Sequence, residues 1–353
     1  MKFFRGNLSL AFISVVLIFW TCTREFYLSD DMNYISEIFS LRDKYDSVAR
    51  STSYFYMLAD DFGRLLYLNQ FETYRIILLI NSSLFLSVLY RLLNIATCSG
   101  WSYGSIFSSI ISTLYLSPYL LIQVRSGIAA SLSVHCVISL LAAPQSSLLK
   151  LFFPCVLLLL SACIHLSSLP FAATFIFFVV CRYYFNIPSL NFKIFISLLR
   201  GICKYILCLS PLFFLLGYLI SNYLLYYYSS LVFQLSTFSP LQEQIFSWGS
   251  FLILLLCACL VDSLFRNTKV FASSSVNFIL PSLLIFSISV IGGSSYSFPL
   301  QQRFLMPYAL LLTPLAISQI FDKHRSITRG FLLSIMVILI AVISLRRLQL
   351  VFL

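Results

Sequence analysis

From residue 73 to residue 242 the chain contains no aspartate or glutamate, and only eight lysines and arginines interrupt its apolar runs. No water-soluble domain is built from such a stretch, because soluble domains carry about 25% charged residues spread along the sequence. Over all 353 residues the charged share is 10% and the apolar share 60%. Thirty-five Phe and 21 Tyr add the aromatic content of helices that end at membrane interfaces. These features predict an all-α polytopic membrane protein, a single integral membrane domain over residues 1–353. Collagen-like, disulfide-stapled and disordered classes are excluded.

The carboxylates cluster. Nine of twelve lie between Glu25 and Glu72, leaving Glu243, Asp262 and Asp322 for the rest. With six basic residues from Arg24 to Arg75, that segment is net −3 within a chain of net +11. The positive excess is therefore charge on membrane loops, and it implies no nucleic-acid partner. None of the ten cysteines lies in the acidic segment and no C-x-x-C occurs, so they read as small buried hydrophobes.

Apolar runs predict a first, uncleaved span at Leu8–Trp20, with no small-residue cleavage site after it. Further spans are predicted at 76–93, 105–123, 126–143, 151–164, 168–181, 205–225, 249–265, 277–292, 304–321 and 331–345. The total is about eleven, within a range of about 10–12 transmembrane helices. The parity turns on residues 151–181. As one helix they would run about 45 Å, well beyond a bilayer core of about 30 Å. The turn-forming stretch His165-Leu166-Ser167-Ser168-Leu169-Pro170 splits them. The split also puts Arg182, Lys193, Lys269 and Lys323 on the cytoplasmic side, as the positive-inside bias requires. With a cytoplasmic N-terminus, 24–75 is an extracytoplasmic loop. Within it Tyr54, Leu58, Phe62, Leu65 and Leu66 recur at helical spacing, which predicts an interfacial amphipathic helix.

Few outer positions carry charge outside that loop. Arg125, in Gln123-Val124-Arg125-Ser126-Gly127, and Arg303, in Gln301-Gln302-Arg303, occupy very short outer loops. A guanidinium at such depth is costly unless it is paired or faces a polar cavity. A lone one reads as an arginine snorkelling to headgroups. Two on one face read as an anion site, because the guanidinium fork binds phosphate bidentately at any pH. His165 stands at the outer mouth between two short spans, and its plain reading is a hydrogen-bonded structural imidazole. His135 lies mid-span and reads as structural. Asp30 and Asp31, just after the first span, read as a solvated pair with the alternative of holding a divalent ion or sugar hydroxyls. No HExxH, P-loop, GxGxxG or GxSxG motif is present.

The order of these elements carries a resemblance. An acidic loop follows span one, with Asp31-Met32-Asn33-Tyr34 matching an Asp-x-x-Tyr feature. Then come R-S-G-I-A-A-S-L at Arg125–Leu132, H-L-S-S-L at His165–Leu169 and Q-R-F at Gln302–Phe304. This pattern resembles the EpsG-like and Wzy-type polymerases of bacterial surface polysaccharides, over most of the chain and through short motifs. One departure stands out: Arg50-Ser51-Thr52-Ser53 occupies the place of the Glu-Pro found ahead of the loop helix, so no carboxylate role transfers there.

The resemblance implies a lipid-donor (GT-C-like) glycosyltransferase of the bacterial inner membrane, acting at its periplasmic face. It would join oligosaccharide repeat units carried on undecaprenyl pyrophosphate into O-antigen or capsule. Arg125 and Arg303 would stabilise the departing pyrophosphate, and His165 would deprotonate the acceptor or hold a phosphate oxygen. Asp30, Asp31, Ser126, Gly127, Ser167 and Gln302 would contact substrate. No cofactor is implied, and metal-independent transfer is expected, with Asp30 and Asp31 the place for a divalent ion if one is used. A chain-length regulator is an implied partner. A polysaccharide ligase would use similar residues, and a repeat-unit flippase is the non-enzyme alternative.

Overall fold

The computed structural model describes residues 50–96, 110–116, 124–142, 149–184, 208–219, 240–267, 276–294 and 298–322, with isolated positions elsewhere. The first span at Leu8–Trp20, the Asp30–Asp31 pair and most of the terminal span at 331–345 lie largely or wholly outside the described residues. Among the described residues the structure is all helix and turn, with no strand. Eight helices are α1 (Arg50–Leu65), α2 (Gln70–Ala96), α3 (Val124–Ala142), α4 (Leu149–Ile164), α5 (Leu169–Tyr184), α6 (Pro240–Asn267), α7 (Val276–Ser294) and α8 (Phe298–Asp322). One of them, α2, is long and apolar enough to cross a membrane over Gln70–Asn94, and shorter apolar helical stretches recur from Val124 to Ser318.

Local chemistry sets the α1–α2 corner. Leu68 N–H donates to the Gly63 carbonyl and Tyr67 N–H to that of Arg64, a Schellman closure that puts Tyr67 at φ 56°. Two residues on, Asn69 and Glu72 exchange backbone and side-chain hydrogen bonds of 2.9 Å each, a reciprocal capping box that starts α2. Close approach of the two helices is possible because position 63 is glycine: a Cβ there would collide with the Thr73 side chain. The face of α1 turned inward is Phe55, Ala59 and Gly63, packed near Tyr74, Ile77, Val124 and Ile164. Leu58, Phe62, Leu65 and Leu66, the stripe read as apolar in the sequence, face outward. Phe55 and two small residues make the contact, and the large apolar stripe is left facing outward.

α2 and α3 run parallel, as successive pairs Ser87–His135 and Arg91–Ser139 show. α4 returns against α3, where Ser161 Oγ donates to the Ala129 carbonyl (2.7 Å) and meets Ser133 Oγ (2.6 Å). Small hydroxyl residues of this kind let helices approach closely where lipid offers no hydrophobic drive to association. The 151–181 run breaks where the sequence predicts. α4 ends at Ile164, a 3-10 turn covers Leu166–Ser168, and α5 follows.

α8 is the centre of the bundle. It touches α2, α3, α5, α6, α7 and the 3-10 turn, and its side chains from Leu305 to Ser318 are buried throughout. Tyr308 stacks edge-on against Phe171 of α5 (5.0 Å between ring centroids). Its hydroxyl lies 3.5 Å from Thr174 Oγ1, which in turn bonds Ser287 of α7 at 2.9 Å.

Candidate functional site

Arg125, His165 and Arg303 come from three separate parts of the chain, and the helix packing brings them to one end of the bundle. Arg125 is the second residue of α3, inside the helix rather than in the loop ahead of it. Arg303 lies in the second turn of α8. His165 occupies the single non-helical position between α4 and the 3-10 turn. That turn is in contact with α3, α4, α5 and α8 together, so it is the point where the elements carrying both arginines meet.

Packing fixes each member in place. Ser161, one turn before His165, is tied to Ala129, one turn after Arg125. The α4 end therefore cannot slide along α3 without breaking a buried bond. On the other side, Phe171 and Thr174 of α5 lock onto Tyr308, one and a half turns beyond Arg303. The turn itself is closed by Ser168 N–H and Oγ, both donating to the His165 carbonyl, and by His165 N–H donating to that of Ser161.

The state of the imidazole follows from two observations. The backbone N–H of Ser167 donates to His165 Nδ1 at 3.1 Å, so that nitrogen is an acceptor and the ring proton sits on Nε2. Burial pushes the His165 pKa down from 6.5 to about 4, and the charges of Arg125 and Arg303 push the same way. Both guanidinium groups thus act on this ring, which stays neutral at physiological pH and presents an Nε2–H. Among the described residues Nε2 has no protein partner.

The other sequence candidates divide clearly. Ser126 and Gly127 are buried beside Arg125 in the first turn of α3. Ser167 is buried and contributes through its backbone N–H rather than its hydroxyl. Gln302 lies on α8 next to Arg303, but its side chain is outside the described residues, as are Asp30 and Asp31. Sequence reasoning missed Ser161 and Ala129 as the tie between the two halves. The available signal was a serine one turn ahead of His165 in a helix that is otherwise apolar after Lys150.

Pro307 adds a further feature. It has no N–H, so the carbonyl of Arg303, four residues earlier, receives no helical hydrogen bond from it. Among the described residues the site is a neutral imidazole N–H donor close enough to two guanidinium groups for both charges to act on it. No family model, curated protein or solved structure matches this chain.

Proposed function

We propose that the chain is a multi-span glycosyltransferase that polymerises lipid-pyrophosphate-linked oligosaccharide repeat units at the outer face of a bacterial inner membrane. The observation that carries this reading is the convergence of Arg125 and Arg303 on His165, at one end of the bundle. Two guanidinium groups match the pyrophosphate of such a donor in charge, and each fork is able to bind a phosphate bidentately.

In the reaction, an acceptor hydroxyl oxygen attacks C1 of the donor's reducing-end sugar. The bond from C1 to the phosphate oxygen breaks, and its electron pair leaves with the lipid pyrophosphate. The hydroxyl proton passes to the departing pyrophosphate or to water. Arg125 and Arg303 stabilise the charge that develops on the leaving group, the kind of contribution for which one lost donor costs about 10²–10³ in rate.

His165 acts here as a hydrogen-bond donor to a phosphate oxygen. A base would need a free lone pair, and Nδ1 is already occupied by the Ser167 N–H while Nε2 carries the proton. This favours the second of the two roles that the resemblance implies. Ser126 and Gly127 shape the wall beside Arg125, and Asp30, Asp31 and Gln302 remain candidates for the sugar end.

The test is direct. Purified protein in lipid vesicles, given lipid-linked repeat units and excess chelator, should build a ladder of chain lengths. Movement of repeat units across the vesicle without any new glycosidic bond would make the chain a transporter. Extension that strictly requires added magnesium or manganese would move charge stabilisation to Asp30 and Asp31. Single-cysteine labelling at position 301 from the outer side checks sidedness, and labelling only after permeabilisation would reverse it.

A further inference from the structure

A second arginine–histidine cluster lies at the opposite end of α2 and α3. Arg91 Nη1 donates to His135 Nδ1 at 3.0 Å, and Nη2 donates to Ser139 Oγ at 3.1 Å. A guanidinium has no acceptor, so His135 Nδ1 must accept and Nε2–H donates to Ser87 Oγ at 2.9 Å. Ser139 is about 21 Å along α3 from Arg125, at 1.5 Å per residue. Arg125 and the Arg91 cluster therefore lie towards opposite ends of α3.

The Arg91 cluster is not a snorkelling side chain. A snorkelling arginine extends its fork along the helix axis into water. Here the fork is turned sideways onto α3 and held there by two bonds. Two of its five N–H groups are committed, and among the described residues the other three have no protein acceptor. No described carboxylate pairs with it. The described acidic side chains, Asp60, Asp61 and Glu72, lie in α1 and at the other end of α2, about 28 Å away along the helix for Glu72. Ser87 and Tyr90, both exposed, open the cluster sideways to the surface of the bundle.

We propose that this Arg91 cluster on the surface of α2 and α3 binds the phosphodiester headgroup of an anionic phospholipid, in the leaflet opposite the Arg125 site. A phosphodiester accepts two N–H bonds from one fork. A glycerol-type headgroup brings no cation that would need a carboxylate, and the described cluster offers none. This site does not rest on the polymerase reading, since it takes a structural lipid and not a substrate.

The experiment uses the purified full chain in phosphatidylcholine nanodiscs with rising phosphatidylglycerol, and native mass spectrometry of retained lipid. Phosphatidylglycerol should raise Tm and remain bound to the wild-type chain, while inorganic phosphate should do neither. Arg91→Gln should weaken retention about tenfold, the loss expected for one charged hydrogen-bonding group. His135→Phe keeps the charge but removes the acceptor that aims the fork, so it should weaken retention by a smaller factor and serves if Arg91→Gln does not insert. Wild-type retention in both variants overturns the site. An equal Tm shift from inorganic phosphate overturns the lipid assignment.

Discussion

His165 and His135 are both imidazoles set beside arginine, yet their hydrogen bonds give them different capacities. His135 has both ring nitrogens committed within the protein, one to Arg91 and one to Ser87. Among the described residues His165 has one nitrogen committed, to the Ser167 backbone, and presents the other. The first ring therefore aims a guanidinium, whereas the second is available to a ligand. Burial and a neighbouring cation are common to both, so neither property separates a positioning histidine from a binding one. What separates them is the count of ring nitrogens already used.

The largest expected effect tests the arginines at the His165 end. Arg125→Ala and Arg303→Ala should each lower glycosyl transfer about 10²–10³-fold, enough to collapse long polymers to single repeats. Lysine at either position keeps the charge but loses the planar fork, and should recover only part of the rate. The readout is the length ladder of lipid-linked polymer at matched protein abundance. Normal ladders from both alanine variants would reduce these residues to headgroup anchors, and the two ends of α3 would then do the same job.

Next in size is the role of His165. As a neutral donor it should be replaced in part by asparagine or glutamine, which also present an N–H, while alanine and phenylalanine should fail. Rate loss for His165→Gln of about tenfold fits one lost or lengthened hydrogen bond to a charged group. A loss as deep as that of His165→Ala would restore the general-base role. The rate should also show no titration near pH 6.5 from this residue, because its pKa is held at about 4.

The sequence singled out Arg125, His165 and Arg303 as charged or polar residues beside apolar runs, and the structure brings the three together at one end of the bundle. With so few charges beside the apolar runs, Arg125 and Arg303 could be singled out because a charge there is costly if those runs span a membrane. The break at His165 was legible because a 31-residue helix overruns the bilayer and Ser-Ser-Leu-Pro supplies a turn. What periodicity could not supply was orientation. Large apolar residues on α1 marked a stripe correctly, yet the bundle-facing side is Phe55, Ala59 and Gly63. In water a large apolar stripe faces the core, but beside a membrane it has a second place to go. The Arg91–His135 contact was also out of reach, because parallel α2 and α3 bring together residues 44 apart. No local pattern records that separation.

A pH experiment isolates the contribution of His165 without chemistry at the site. The folded chain holds His165 neutral down to about pH 4, whereas an unfolded imidazole takes up its proton near 6.5. Its folded pKa is thus depressed, so the unfolded state binds more protons between those values. The corresponding stability is present above pH 6.5 and is lost as pH falls towards about 4. His165→Gln should flatten that part of the Tm-against-pH curve. An unchanged slope would mean that the ring takes up its proton in the folded bundle as it does in water, against the burial described here.

The smallest effect concerns the corner that holds α1 against the His165 end. Asn69 caps α2 by accepting the Glu72 N–H, and Glu72 returns the bond to the Asn69 N–H. Asn69→Ala removes one half of this box and should cost about 1 kcal/mol. Tyr67 works in the opposite sense. It sits at φ 56° with 97% of its surface exposed, so it bears a left-handed conformation with no buried contact in return. Tyr67→Gly relieves that strain and should stabilise the corner by about 1 kcal/mol. Both shifts should appear in the Tm of the purified chain and leave phosphatidylglycerol retention at Arg91 untouched, since α1 packs on α2 and α4 near Ile164 rather than near Ser139. If Tyr67→Gly instead destabilises the chain in nanodiscs but not in detergent, the exposed ring is an interface anchor. Its contact with lipid then outweighs the strain of its backbone.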